Sequence, residues 1–127
     1  MTPNDFSRAF AVAFGVQDAD GLAAYLAEGA QVLTLTGAWA DGRKAAKTVL
    51  AAEFAGIFAR ARLVTGKSHL LLLAEPVYLL NQRFVVSGTQ GPDGADLPRF
   101  AAMLSVVLVA SAIGWQAASL TFSSLTE

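Results

Sequence analysis

The second half of the chain consists of long apolar segments separated by short turn sequences. We predict a β-strand for each of four segments, Arg62–Leu73, Tyr78–Thr89, Leu97–Ala110 and Trp115–Ser124. Each sequence between them contains a glycine or a proline, as in Gly91-Pro92-Asp93-Gly94, which is typical of hairpin turns. Long strands joined by short turns predict an antiparallel meander.

The predicted strands are apolar on both faces. In the third of them, one set of alternating positions is Phe100, Ala102, Leu104, Val106 and Leu108. The other set is Ala101, Met103, Ser105, Val107 and Val109. A sheet with one face in water alternates apolar and polar residues, so we expect one face to pack on helices and the other on a second copy of the chain. A hydrophobic content of 54% with only 15% charged residues fits a subunit interface, an internal cavity or both.

The first half of the chain predicts three helices and one strand. The start Thr2-Pro3-Asn4-Asp5 is typical of a helix N-terminus and predicts a first helix to about residue 16. A short second helix is expected to end at Gly29, a strand to cover Ala30–Thr36, and a third helix to cover Arg43–Ala61. The sequence thus predicts one α+β domain over residues 1–127, in which a curved, mostly antiparallel sheet wraps as a half-barrel around three N-terminal helices.

Composition argues against several classes of function. The net charge is −1 and no basic stripe occurs, so we expect no nucleic acid partner. The chain has no cysteine and a single histidine, His69, which argues against a metal site. No glycine-rich phosphate loop or dinucleotide fingerprint occurs, so we expect no cofactor. The longest apolar stretch is too short for a transmembrane helix, and no signal-peptide pattern opens the sequence, so we expect no membrane partner and a cytoplasmic location.

The order and spacing of these elements resembles the nuclear-transport-factor-2-like (NTF2-like) superfamily of cystatin-like α+β folds, which includes ketosteroid isomerases and SnoaL-like polyketide cyclases. The features that carry the resemblance are the helix Phe6–Phe14, the helix start Asp18–Leu22, the run Leu26–Val32, Gly42 before the third helix and Trp115 at the start of the last strand. The segments most similar to the SgcJ/EcaC subgroup are Gln82–Gly88 and Trp115–Thr121. The resemblance implies a conical half-barrel with an apolar pocket inside, usually in a homodimer. The superfamily hosts enzymes and binding modules alike, so the fold leaves the function open.

Ketosteroid isomerases use a carboxylate base together with a tyrosine and a protonated aspartate as hydrogen-bond donors. Local matches within the resemblance put these three roles at Thr34, Phe10 and Ser105. Thr34 is not a carboxylate and Phe10 has no hydroxyl, whereas Ser105 can donate a hydrogen bond. This departure predicts that the chain does not isomerise Δ5-3-ketosteroids.

Few acidic residues are candidates for a catalytic base. On this interpretation no acid lies inside a strand, and only Asp41, beside Trp39, and Glu53, at the edge of the third helix, can approach a pocket mouth. We expect Asp41 to form a turn and Glu53 to lie on a solvated helix flank. Histidine is a common acid–base catalyst, but the strand parity of His69 with Lys67 predicts a sheet edge or a surface. Asp41 and His69 remain the catalytic candidates, with a structural role as the alternative for each.

Other side chains are candidates for ligand contacts. Arg83 and Arg99 lie in predicted strands that are otherwise apolar, and either can bind a ligand carboxylate or form an interface salt bridge. Arg43, Lys44 and Lys47 at the start of the third helix fit either an anion site or a solvated face. The expected wall of the pocket consists of Phe10, Phe14, Thr34, Trp39, Phe54, Phe58, Arg99, Met103 and Ser105.

Three functions are compatible with these features. The favoured hypothesis is a homodimeric binding module that holds a small, largely apolar molecule. The second is a SnoaL-like isomerase, cyclase or hydrolyase that acts on a polyketide- or steroid-like substrate. The third is a dimerisation domain with a collapsed pocket. An open pocket separates the first two from the third, and a carboxylate or imidazole within reach of that pocket favours the enzyme.

Overall fold

The computed structural model describes residues 2–125. Its helical elements are a 3-10 turn (Pro3–Asp5), α1 (Phe6–Gly15), α2 (Ala19–Ala23) and α3 (Arg43–Ala55). Its strands are β1 (Leu26–Leu33), β2 (Trp39–Asp41), β3 (Arg62–Ala74), β4 (Val77–Ser87), β5 (Phe100–Ser111) and β6 (Gly114–Ser124). Within residues 2–125, every helix is too short or too polar to cross a membrane.

The six strands form one mixed sheet in the order β2-β1-β6-β5-β4-β3. Strands β3, β4 and β5 each pair antiparallel with the next strand along the chain, so the predicted meander of four strands is confirmed. β1 runs parallel to β6, and β2 folds back antiparallel on β1. The predicted α+β class, with a curved and mostly antiparallel sheet and three helices, is confirmed.

Two predicted helix ends were wrong. β1 already begins at Leu26, so Gly29 lies inside a strand and not at a helix C-terminus. The pairing of β1 with β6 shifts register between Leu26 and Gln31, and this irregularity breaks the alternation by which a strand is identified in a sequence. α3 ends at Ala55 because Gly56 follows it, and turns cover the remainder of the predicted helix.

Phenylalanine rings fill the space between the helices and the sheet. Phe10 and Phe14 of α1 meet Phe122 of β6 edge-on, with ring centroids 5.3 and 5.8 Å apart. Phe54 of α3 packs edge-on against Phe14 at 5.1 Å, and Phe84 of β4 stacks on Phe10 at 6.0 Å. Each such pair adds about 0.5–1.5 kcal/mol beyond the burial of its area, so the cluster fixes α1 and α3 against the sheet.

The two faces of the sheet have different environments. The residues of β5 that are fully buried in the core are Ala102, Leu104, Val106 and Leu108. The alternating residues, which lie on the opposite, outer face and are half-buried, are Met103, Ser105, Val107 and Val109. The inward-facing set is therefore the one without Ser105, although the two sets have similar hydrophobicity in the sequence.

Candidate functional site

A carboxylate is buried where α3 packs against the hairpin between β1 and β2. Glu53 is only 9% exposed. Its Oε2 accepts hydrogen bonds from the hydroxyls of Thr34 and Thr36, both at 2.7 Å. The two hydroxyl oxygens lie 3.2 Å apart. These three side chains are called the Glu53 cluster below, and the expectation that Glu53 lies on a solvated flank was wrong.

Helical spacing places Glu53 in the interior. Leu50 and Phe54 are both buried on α3, and a residue three positions after Leu50 lies on the same face of the helix. Ala46, one turn before Leu50, is also fully buried. The acid therefore belongs to the stripe that faces the sheet, and it is the polar member of that stripe.

A tight turn supplies the two hydroxyls. The amide of Gly37 donates to the carbonyl of Thr34 at 2.9 Å, and the amide of Thr34 donates to the carbonyl of Ala38 at 3.0 Å. Gly37 has a φ of 85°, a conformation that is strained for residues with a side chain. The turn folds Thr36 back beside Thr34, so both hydroxyls point at the same carboxylate oxygen.

Two members of the Glu53 cluster, Thr34 and Glu53, are the polar residues on the wall of a small and otherwise apolar cavity. The cavity has a volume of about 10 Å³, which is the room that one water molecule needs. The residues that line it are Phe10, Phe14, Leu22, Val32, Thr34, Leu35, Leu50, Glu53, Leu120 and Phe122. The interior is closed around the carboxylate, and the half-buried Leu35 lies on the wall nearest the hairpin.

No cation compensates the Glu53 carboxylate within residues 2–125. The salt bridge in this part of the chain joins Lys47 to Asp20, both on the surface. A charged carboxylate that leaves water costs several kcal/mol unless hydrogen bonds or an opposite charge compensate it. Hydrogen bonds to a charged group return about 1.5–3 kcal/mol each, so the two threonines stabilise the acid without neutralising it.

Three of the nine residues predicted for the pocket wall line the cavity. These are Phe10, Phe14 and Thr34. Phe54 and Phe58 are buried behind them and contact the ring of Phe14, with centroids 5.1 and 5.4 Å away. They belong to the same aromatic cluster but lie outside the cavity wall.

The other four predicted wall residues lie elsewhere. Trp39 is 59% exposed on β2, and Arg99 is exposed in the segment that precedes β5. Met103 and Ser105 lie on the outer face of the sheet, because the inward parity of β5 is the alternate one. The hydroxyl of Ser105 donates there to Oδ1 of Asn81 at 2.5 Å.

The two catalytic candidates from the sequence are also remote from the cavity. Asp41 is exposed on β2, opposite Gln31 of β1. His69 is exposed on the outer face, opposite Asn81. Glu28 and Asp41 both lie within strands, so the interpretation that no acid lies inside a strand was wrong. The spacing of Glu53 from Leu50 was the signal that could have identified the buried acid.

The chain matches no protein-family model and no curated protein sequence. An uncharacterised protein with a cystatin-like fold from Caulobacter vibrioides superposes with a TM-score of 0.87 at 15% identity, over 97% of this chain and 87% of that chain. A ketosteroid isomerase-like protein from Erwinia carotovora atroseptica gives 0.81 at 16% identity, over 98% and 94%. A Thiobacillus denitrificans protein, provisionally identified as a calcium/calmodulin-dependent protein kinase type II association domain, gives 0.78 at 24% identity, over 98% and 96%. The chain therefore has a cystatin-like fold.

Proposed function

We propose that the protein is a homodimer that binds a small, largely apolar molecule in the interior between α1, α3 and the sheet. The observation that carries this proposal is the Glu53 cluster at the end of an otherwise apolar cavity. Binding sites for small molecules combine apolar walls with a few polar groups that orient the ligand. The fold supports the proposal, since a ketosteroid isomerase-like protein shares it. Within this fold, we group the chain with the SgcJ/EcaC-type proteins that its strands Gln82–Gly88 and Trp115–Thr121 resemble.

Ligand entry requires the closed interior to widen. Leu35 stands between the cavity and the hairpin tip, where Thr36 and Gly37 are exposed to solvent. The tip is held by two backbone hydrogen bonds and by the two threonine hydroxyls that donate to Glu53, so we expect the entrance to open by a movement of the Leu35 side chain that leaves the tip in place. We expect the ligand to enter past Leu35 and to place its polar group at Glu53.

The dimer is proposed to form through the outer face of the sheet. A polar row crosses this face through His69, Asn81, Ser105 and Thr121, which are paired across four neighbouring strands. An apolar row of Leu71, Leu79 and Val107 runs beside it. Leu71 is 51% exposed, and apolar residues in a continuous row are typical of an interface between subunits. The likeness to a protein provisionally identified as an association domain also supports self-association.

The binding proposal is tested by calorimetric titration with three probes that share a phenyl ring and a short linker: 2-phenylethanol, 2-phenylethylamine and 3-phenylpropanoate. We expect saturable binding of at least one probe to the wild-type protein. Leu35→Trp fills the entrance with a larger ring and abolishes that binding. The matched control is Leu97→Trp, at a residue that is 44% exposed and does not line the cavity, and it leaves binding unchanged. The proposal fails if no probe binds, or if Leu35→Trp binds as the wild type does.

A second candidate function is proton transfer at a carbon atom, and the Glu53 carboxylate specifically favours it. A general base must reach the substrate proton directly or through one water, and Glu53 is the acid on the cavity wall. In this reaction the carboxylate takes the proton next to a carbonyl group, the C–H bond breaks to give an enolate, and the proton returns at carbon. Deuterium exchange into 2-indanone in D2O, followed by NMR, is the test. Exchange that is catalysed by the wild type and lost in Glu53→Gln supports the enzyme, and equal rates in the two proteins refute it.

A further inference from the structure

We infer that the ligand's polar group is a primary ammonium, so that the protein binds small apolar amines as cations. This inference rests on the proposed binding function and assigns Glu53 the role of its counter-ion. The juxtaposition that carries it is an acid, 9% exposed and without a cation within 4 Å among residues 2–125, on the wall of a cavity that aromatic and aliphatic side chains otherwise line.

The hydrogen-bond donors and acceptors of the Glu53 cluster determine which ligand groups it can bind. Each threonine hydroxyl has one proton, and both protons are directed at Oε2 of Glu53. An ionised carboxylate has no proton to donate. The cluster therefore has acceptor positions left, on Oε1 and on the hydroxyl oxygens, but no side-chain donor. A ligand group bound here must be a hydrogen-bond donor, and a ligand carboxylate or ketone finds no partner in the cluster.

Charge distinguishes an ammonium from an alcohol. Both donate hydrogen bonds, but only the ammonium neutralises the buried negative charge, which the threonines leave in place. The rings of Phe10 and Phe14 also line the cavity, and aromatic rings attract a cation that has lost its water. Two independent features of the wall thus favour a positively charged group.

Size restricts the cation to a primary ammonium. The cavity of about 10 Å³ has room for a group of the size of one water molecule. An –NH3⁺ group is about that size, whereas a trimethylammonium group is several times larger. The polar end of the ligand therefore fits the cavity as it stands, and only its apolar body requires Leu35 to move.

The test ranks the same three probes, and adds N,N,N-trimethyl-2-phenylethylammonium, by calorimetry at pH 7. We expect 2-phenylethylamine to bind about tenfold more tightly than 2-phenylethanol, since both donate a hydrogen bond to the carboxylate but only the ammonium also brings an opposite charge to it. Neither 3-phenylpropanoate nor the trimethylated amine should bind measurably. Glu53→Gln should lose the preference for the amine over the alcohol, because the amide carries no charge to attract the ammonium. The matched control, Glu28→Gln, removes the same charge from an exposed position on β1 and should change nothing.

The outcomes separate this inference from the function on which it rests. If the alcohol or the propanoate binds as tightly as the amine, or if Glu53→Gln keeps the amine preference, the inference is overturned and the binding function stands. If no probe binds to the wild-type protein, both fail. Should Glu53→Gln not fold, the wild-type comparison of the primary and the trimethylated amine decides, because equal affinities contradict a water-sized cation site.

Discussion

Replacing Thr34 by valine removes one of the two hydroxyls that donate to Glu53 and keeps the shape of the side chain. Thr34 is 5% exposed and its Oγ1 lies 2.7 Å from Oε2 of the acid. A hydrogen bond to a charged group contributes about 1.5–3 kcal/mol to stability, and the buried carboxylate cannot recover it from bulk water. We therefore expect Thr34→Val to lower the free energy of unfolding by about 1.5–3 kcal/mol. The same change at the exposed Thr65 of β3 is the control, with an expected effect within about 0.5 kcal/mol.

The measurement is urea unfolding followed by circular dichroism, with all variants at one protein concentration because the proposed dimer would unfold in a concentration-dependent way. A double-mutant cycle with Glu53→Gln isolates the pair, since residues in direct contact couple by about 0.5–3 kcal/mol. If the hydroxyl stabilises a carboxylate, Thr34→Val costs clearly less in the Glu53→Gln background. An equal cost in both backgrounds, or a cost no larger than that of the Thr65 control, would refute the account of the Glu53 cluster.

Three further predictions concern the interface, the core and catalysis. Ser105→Asp should convert the dimer to a monomer in light scattering at micromolar concentration, because it puts a charge into the proposed interface, and a wild-type protein that is itself monomeric would contradict the interface. Phe122→Ala should cost about 3–5 kcal/mol in urea unfolding, because the ring is 3% exposed and packs against three other phenylalanines; a loss below 1 kcal/mol would contradict this packing. The protein should not isomerise Δ5-3-ketosteroids, as followed by absorbance of the conjugated enone, because Phe10 has no hydroxyl, Ser105 lies on the outer face and both hydroxyls beside Glu53 already donate to it. The loss of one oxyanion donor alone lowers the rate by a factor of about 10²–10³. Turnover above about one per second that disappears in Glu53→Gln would contradict the prediction.

The β-meander was predictable because its signals are local. Each strand from β3 to β6 is long and apolar, and each boundary has a glycine or a proline within a few residues. The start of β1 was not predictable in the same way, because its ladder with β6 shifts register between Leu26 and Gln31. Sequence patterns identify a strand because apolar and polar residues alternate along it with a period of two residues. A register shift interrupts this alternation where it occurs.

The inward face of β5 could not be determined from the sequence. Its two sets of alternating residues have similar hydrophobicity, so the pattern predicts a strand that is covered on both sides without saying which side faces the helices. The presence of Ser105 in one set suggested a polar group inside a pocket, but that hydroxyl bonds to Asn81 on the outer face. The inward face of β5 follows from its pairing with the neighbouring strands. Phe84 on β4 and Phe122 on β6 both point into the core, so the β5 residues paired with them face inward too.

The acid of the candidate site shows why function is harder to predict than fold in this chain. Matching to ketosteroid isomerases puts the base at Thr34, where no carboxylate stands in the sequence. In the structure a carboxylate is nevertheless present at that place, because α3 brings Glu53 to 2.7 Å from the Thr34 hydroxyl across 19 positions of sequence. Sequence matching compares the residue at each position of the chain. A binding site is instead defined by groups from different elements that come together in space. The buried acid on a helix and the hydroxyls on a hairpin together create the acceptor-only end of the cavity, and neither segment alone has that property.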